Sequence, residues 1–236
     1  MFKRKFFLKL GVEIIAIIIG ISASFWISDI SNERDKEIQR ERVLNSILIE
    51  SDDIKNYCDD RMKIWNQDIE IYNILLKEEL NIEKLKKIAV SKNRVEYNLI
   101  YYRDFNPPMN RYKSAINTGD LKYINSENIK ESVTRLHNLN FGKVVSTVDY
   151  EKKIIDLIIE LITKEKPNLV LNGNESSLNF DDYLKFLHKF IQENEKFKSN
   201  LTVQLKYFKT RISSLKIYMI TLEELQYELE RILKSN

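Results

Sequence analysis

Two histidines, one cysteine and three adjacent aspartate pairs are the residues of this chain best suited to cutting, transferring or coordinating. His137 and His188 stand alone, without a histidine at i+4 or a Glu-x-x-His pattern. Those spacings would turn two ligands to one helix face and hold zinc or a pair of irons. Each is read as making an ordinary hydrogen bond at a surface or half-buried position. Cys58 has no second thiol with which to form a disulfide or a thiolate metal site. The pairs Asp52-Asp53, Asp59-Asp60 and Asp181-Asp182 are sequence neighbours. On a helix their carboxylates diverge by about 100°, so they do not converge on one cation, and solvated faces or an N-terminal turn account for them. No Gly-x-Ser-x-Gly elbow is present, and the five glycines are too scattered for a phosphate loop. The expectation is a protein with no catalytic residue, no cofactor site, no metal site and no identified small-molecule substrate.

Binding chemistry is concentrated in one place. The stretch "YNLIYYRDFNPPMNRY" carries Tyr97, Tyr101, Tyr102, Arg103, Phe105, Arg111 and Tyr112, and tyrosine and arginine are the types enriched where proteins bind one another. It is the candidate interaction patch. The competing reading places these rings in the distal core with their hydroxyls reaching the rim. Nucleotide stacking is disfavoured because the net charge is only +3, with 31% charged residues of both signs interspersed. No nucleic-acid partner is expected.

Whatever binds must be positioned, and the first positioning element is "FFLKLGVEIIAIIIGISASFWIS". From Leu10 to Ile27 its only ionisable residue is Glu13, and about 20 apolar residues suffice to cross a bilayer. A core helix would show a polar face, which residues 14–19 lack. A cleaved signal competes, since Lys3, Arg4, Lys5 and Lys9 precede the run and Ser22-Ala23-Ser24 is a passable cleavage site. Against cleavage, the apolar run continues to Trp26, an interfacial aromatic, so Lys5, Lys9 and Trp26 read as anchors at the two surfaces. Glu13 lies a turn inside the boundary, where it snorkels beside Lys9 or, alternatively, lines a pore with Gly20, Ser22 and Ala23 of other copies. Basic residues flank both ends. The orientation expected keeps the short tail in the cytoplasm and the bulk periplasmic or extracellular, because long domains translocate largely regardless of charge.

Beyond Asn32 the pattern turns amphipathic. Ile47, Ser51, Ile54, Cys58, Met62, Trp65, Ile69, Tyr72 and Leu76 recur at spacings of three and four, as do ten positions from Leu201 to Leu233. Two such stripes predict long first and last helices lying antiparallel. The fold expected is all-α: a single transmembrane helix continuing into an elongated antiparallel bundle with coiled-coil-like first and last helices. The tail and anchor occupy 1–32 and the bundle 33–236. Between the long helices, Asn81, Asn125 or Ser126, and Asn179 read as N-caps, Pro107-Pro108 as a helix start, and Gly142 as a kink inside a helix reaching residue 164. Residues 166–177 read as a loop, and 98–102 and 168–171 are the two places that fit a short strand, neither long enough to found a sheet.

Two stretches carry a resemblance. Gly11-Val12-Glu13-Ile14-Ile15 with Gly20-Ile21, Phe25-Trp26-Ile27-Ser28-Asp29 and Asn32-Glu33-Arg34 resembles the amino-terminal signature of an uncharacterised family of small bacterial single-span proteins. "SAINTGDLKYINSENIKESV" is similar to that family's helix, Ser-Gly-x-Leu turn and following helix, with Gly119, Leu121 and Ile124 in place. The departures are an extra residue before Glu13, Ile30 where tryptophan is usual, Asn32-Glu33 displaced by one position, and Ile129-Lys130 in place of Leu-Arg. The resemblance implies an uncleaved anchor and a helical domain in a bacterial inner membrane, and brings no activity, cofactor or catalytic residue. In physical terms Gly119 is a helix-ending turn where a left-handed residue is cheapest as glycine. The function expected is a membrane-tethered, non-enzymatic module whose partners are the lipid bilayer and a protein, including further copies of itself. A channel subunit and an envelope enzyme working near Tyr102 and Arg103 are the alternatives.

Overall fold

The computed structural model describes residues 2–171 and 178–235, with side chains over 15–171 and 178–234. Its regular structure is helical throughout those residues. Helix α1 (Phe2–Leu75) runs unbroken for 74 residues. After Gly20 it contains neither glycine nor proline, so nothing interrupts its i to i−4 ladder. It ends where α2 (Ile82–Ala89) and α3 (Lys92–Ile100) turn the chain back, each started by a side-chain cap: Asn81 accepts from the Lys84 N–H and Ser91 from the Arg94 N–H.

The last helix, α9 (Glu195–Ser235), packs along α1. Gln226 donates to Asp52 at 2.7 Å, whereas the Tyr72 hydroxyl meets Gln204 at 2.8 Å, so the two chains run in opposite directions. Helix α4 (Asn110–Thr118), a 3-10 turn (Asp120–Tyr123) and α5 (Glu127–Thr134) form the side of the bundle nearer the apolar end of α1. A π-helical segment (Arg135–Asn140) leads into α6 (Phe141–Glu165), which also packs on α9. The short α7 (Asn168–Leu171) and α8 (Phe180–Glu193), capped by Asn179, complete the far end.

Several local expectations are corrected. Helix α4 begins at Asn110 rather than at the Pro107-Pro108 pair, because Pro107 is buried in the extended run before it. The irregularity in the long helix is the π segment, one residue per turn wider, and Gly142 follows it inside a regular helix. Residues 98–102 finish α3 and enter extended chain without a strand, and 168–171 form α7. The rest of the expected loop, 172–177, lies outside the described residues. A feature absent from the sequence reading is Val90, which ends α2 at φ 65° with the Ser91 N–H bonded back to the Ala89 carbonyl. That is a tight three-residue turn, and a β-branched side chain adopts it only under strain.

The two stripes bury as their spacing dictates, but into two cores rather than one. The core nearer the apolar end of α1 gathers Val43 to Trp65 of α1 and Ile212 to Leu229 of α9. The distal core gathers Ile71 to Leu75, Leu201 to Phe208 and the inner faces of α3 and α8. Between them in sequence lie Asp68 on α1, Glu151 on α6 and Arg211 on α9, with Thr147 of α6 and Gln204 of α9 one and two turns away. The bundle therefore has a charged waist.

Candidate functional site

The waist is built around two ion pairs. Arg211, 0% exposed, pairs with Glu151 and donates from Nε to the Thr147 hydroxyl at 3.0 Å and from Nη2 to the Thr147 carbonyl at 3.1 Å. Its guanidinium carbon stands 5.0 Å from the Trp65 ring and 5.5 Å from that of Phe208, so cation-π attraction replaces part of its lost hydration. Burial pushes the Glu151 carboxyl above its usual range, and the Arg211 charge opposes that rise. The Tyr72 hydroxyl lies 2.6 Å from the Asn98 carbonyl and 2.8 Å from Gln204 Oε1, and Gln204 Nε2 donates to the same Asn98 carbonyl at 3.2 Å.

Asn98 then donates to Asp68 at 3.0 Å. The Asp68 carboxylate is held by Arg94 and, at 3.3 Å, by Arg103. Arg103 is the link to the surface, since its guanidinium carbon lies 4.3 Å from the Tyr97 ring. Tyr97 stacks on Tyr101 at 5.1 Å and 28°, and its hydroxyl donates to the Tyr102 carbonyl at 3.2 Å. Lys152 covers the Tyr102 ring at 4.6 Å. Four of the expected patch residues, Tyr97, Tyr101, Tyr102 and Arg103, thus form one braced cluster, with Tyr101 57% exposed.

The other three leave it, Phe105 entering the core beside Trp65 and Tyr218. Tyr112 is buried, stacked on His137 at 3.9 Å with the rings 6° from parallel, and Arg111 lies on a separate face. The patch divides because α4 starts three residues after Pro107 and swings Arg111 and Tyr112 against α1. Met109, the N-cap of α4, provides no side-chain cap. Glu50 of α1 does so instead, accepting from the backbone N–H groups of Arg111 and Tyr112. Burial raises the Glu50 carboxyl above its usual range against those hydrogen bonds. His137 Nε2 lies 3.8 Å from Glu50, yet burial and the Lys113 charge hold its pKa down to about 4. The imidazole is therefore neutral at ordinary pH, and its Nδ1 is buried without a hydrogen-bond partner.

No sequence pattern marks Glu50, Asp68, Glu151 or Arg211 beforehand. The available signal was a charged residue intruding on a core face: Arg211 immediately precedes Ile212, and Asp68 precedes Ile69. Gly20, Ser22, Ala23 and Trp26 all lie exposed along α1, and no two of them are brought together by the fold. The side chains of Glu13, Lys5 and Lys9 lie outside the described residues. Gly119 closes α4 at φ 74°, its N–H reaching the carbonyls of Ala115 and Ile116. Among the described residues no cluster of three His, Cys, Asp or Glu side chains is placed to hold a metal ion. No family model, curated protein or solved structure matches the chain.

Proposed function

We propose that the protein is a membrane-tethered, non-enzymatic helical module that presents its bundle to a protein partner, or to further copies of itself, at a bacterial cell envelope. The observation that carries this reading is α1. One end of this helix is apolar enough to cross a membrane with none of that window buried in the fold, while the other end forms a wall of both cores. An apolar, uncovered helix of that length favours lipid as its solvent. In the bundle it carries, the buried Asp68, Glu151 and Arg211 charges are committed to ion pairs and the buried Glu50 to capping a helix. The resemblance of residues 11–34 and 114–133 to a single-span bacterial family supports the same reading. In it, the basic tail stays in the cytoplasm and the bundle stands outside the inner membrane.

The test is the topology of the full-length chain in membranes, read by protease access to a tag after Asn236 together with the intact mass. The reading predicts an uncleaved chain with the tag digested only when the outer side is exposed. Digestion from the cytoplasmic side would invert the orientation, and loss of the first two dozen residues would remove the anchor. A pore reading is separated by Glu13→Gln, which should leave a tether's function unchanged and alter the conductance of a pore.

A further inference from the structure

Helices α1 and α4 face each other across a cleft of about 620 Å³ on the membrane-proximal side of the bundle. One wall carries Gln39, Arg42 and Ser46 of α1, and the other Asn110, Arg111 and Ser114 of α4. Six of the described arginines are spent on carboxylates: Arg40, Arg94, Arg103, Arg135, Arg211 and Arg231. Of the other four, Arg61 donates to the Tyr57 hydroxyl and Arg34 lies outside the cleft, while Arg42 and Arg111 both line it. For Arg111 the geometry gives a reason. The buried Glu50 carboxylate has its oxygens on the backbone N–H groups of Arg111 and Tyr112, so the Arg111 charge favours that carboxylate only from a distance and its guanidinium makes no ion pair. The cleft's own acidic residue, Asp120, accepts a hydrogen bond from Thr118 at 2.6 Å at the end of α4.

Two unpaired guanidiniums on facing walls, flanked by serine hydroxyls and side-chain amides, match a phosphoryl group attached to a hydroxylated organic body. We propose that the cleft between α1 and α4 binds a small soluble phosphomonoester, with Arg42 and Arg111 clamping the phosphate and Ser46, Ser114, Gln39 and Asn110 contacting the body. A lipid phosphate is less well placed. The apolar run ends near Ser28, eleven residues before Gln39, or about 16 Å along a helix.

The experiment is calorimetric titration of the full-length protein in nanodiscs with inorganic phosphate and with glycerol 3-phosphate. Both probes should bind, the ester more tightly. Arg42→Gln and Arg111→Gln should each weaken binding at least about tenfold, while Arg34→Gln, an equal loss of charge outside the cleft, should leave it within about twofold. Ser114→Leu fills the cleft without altering charge and should also weaken binding, with the helical circular dichroism and melting temperature of every variant retained. Absence of binding by both probes, or equal weakening by all three arginine variants, would overturn the site. Loss of glycerol 3-phosphate binding on replacing phosphatidylcholine discs with phosphatidylglycerol discs would overturn the soluble assignment in favour of a lipid headgroup.

Discussion

The two ends of α1 are one continuous helix in two different surroundings, one uncovered and one packed against the bundle. Over residues 15–30 its isoleucines, Phe25 and Trp26 are more than half exposed, and over 43–75 one of its faces is sealed chiefly against α9. Both ends obey the same rule, that apolar surface leaves water, but the rule leaves different marks. The first end is apolar all round and no protein packs against it, the pattern that suits a lipid surrounding, whereas the second is striped because protein covers only one side. Polar groups are also managed differently. Among the described residues of the exposed end, the Ser24 hydroxyl turns back to the Gly20 carbonyl at 2.9 Å, satisfying itself within its own helix. In the bundle, Asp68 reaches partners that are distant in sequence.

That contrast can be broken most severely at the waist. Arg211→Ala leaves Glu151 buried and unpaired, and should destabilise the bundle by about 3–5 kcal/mol with no effect on membrane retention. Thermal melting in detergent and membrane extraction check the two halves of that statement. The double change Arg211→Met with Glu151→Met should recover most of the loss, because it removes both charges together. The converse experiment is Ile18→Asp, expected to raise the insertion free energy by about 3 kcal/mol and release the protein from membranes while the bundle melts as before. If Ile18→Asp lowered the melting temperature, the two ends would not be independent.

A finer probe is pH. His137 is held down to about 4 from an ordinary 6.5, so as pH falls the unfolded chain takes up this proton first. Its contribution is present above about pH 6.5 and is lost progressively between 6.5 and 4. Glu50 and Glu151 work in the opposite sense, since their raised carboxyls bind a proton more readily in the folded state and their contribution is lost as pH rises. The informative quantity is therefore the difference between the parent and His137→Gln. The parent should lose stability more steeply on acidification, by at most about 1.4 kcal/mol per pH unit.

The smallest expected effects concern two backbone positions. Gly119→Val meets no atom within 4 Å but must hold φ 74°, so it should cost about 1 kcal/mol or more through backbone strain alone. Val90→Gly relieves the comparable strain at φ 65° and should be neutral or stabilising by up to about 1 kcal/mol, the greater freedom of glycine in the unfolded chain offsetting part of the gain.

The antiparallel pair and most of the caps could be read in the residues, because helical periodicity and capping are local properties. Stripes at spacings of three and four placed α1 against α9, and Asn81, Ser126 and Asn179 each accept from a backbone N–H three residues on. What escaped was non-local. Glu50 caps a helix that begins sixty residues later, and Asp68 gathers arginines from α3 and the segment after it. Neither partnership leaves a trace in sequence spacing. The patch of 97–112 was read as a unit because it is contiguous, and it divided because the chain turns a corner after Pro107-Pro108.

The absence of glycine and proline from α1 beyond residue 20 has a mechanical consequence. A helix without a hinge transmits tilt as a rigid lever. The 47 residues from Ser28 to Leu75 span about 70 Å, so leaning the helix by about 10° in the bilayer would carry the distal end sideways by about 12 Å. In a chain anchored as proposed, tilt would follow the match between apolar length and bilayer thickness, and the reach of the bundle's far end would be coupled to the thickness of the membrane beneath it.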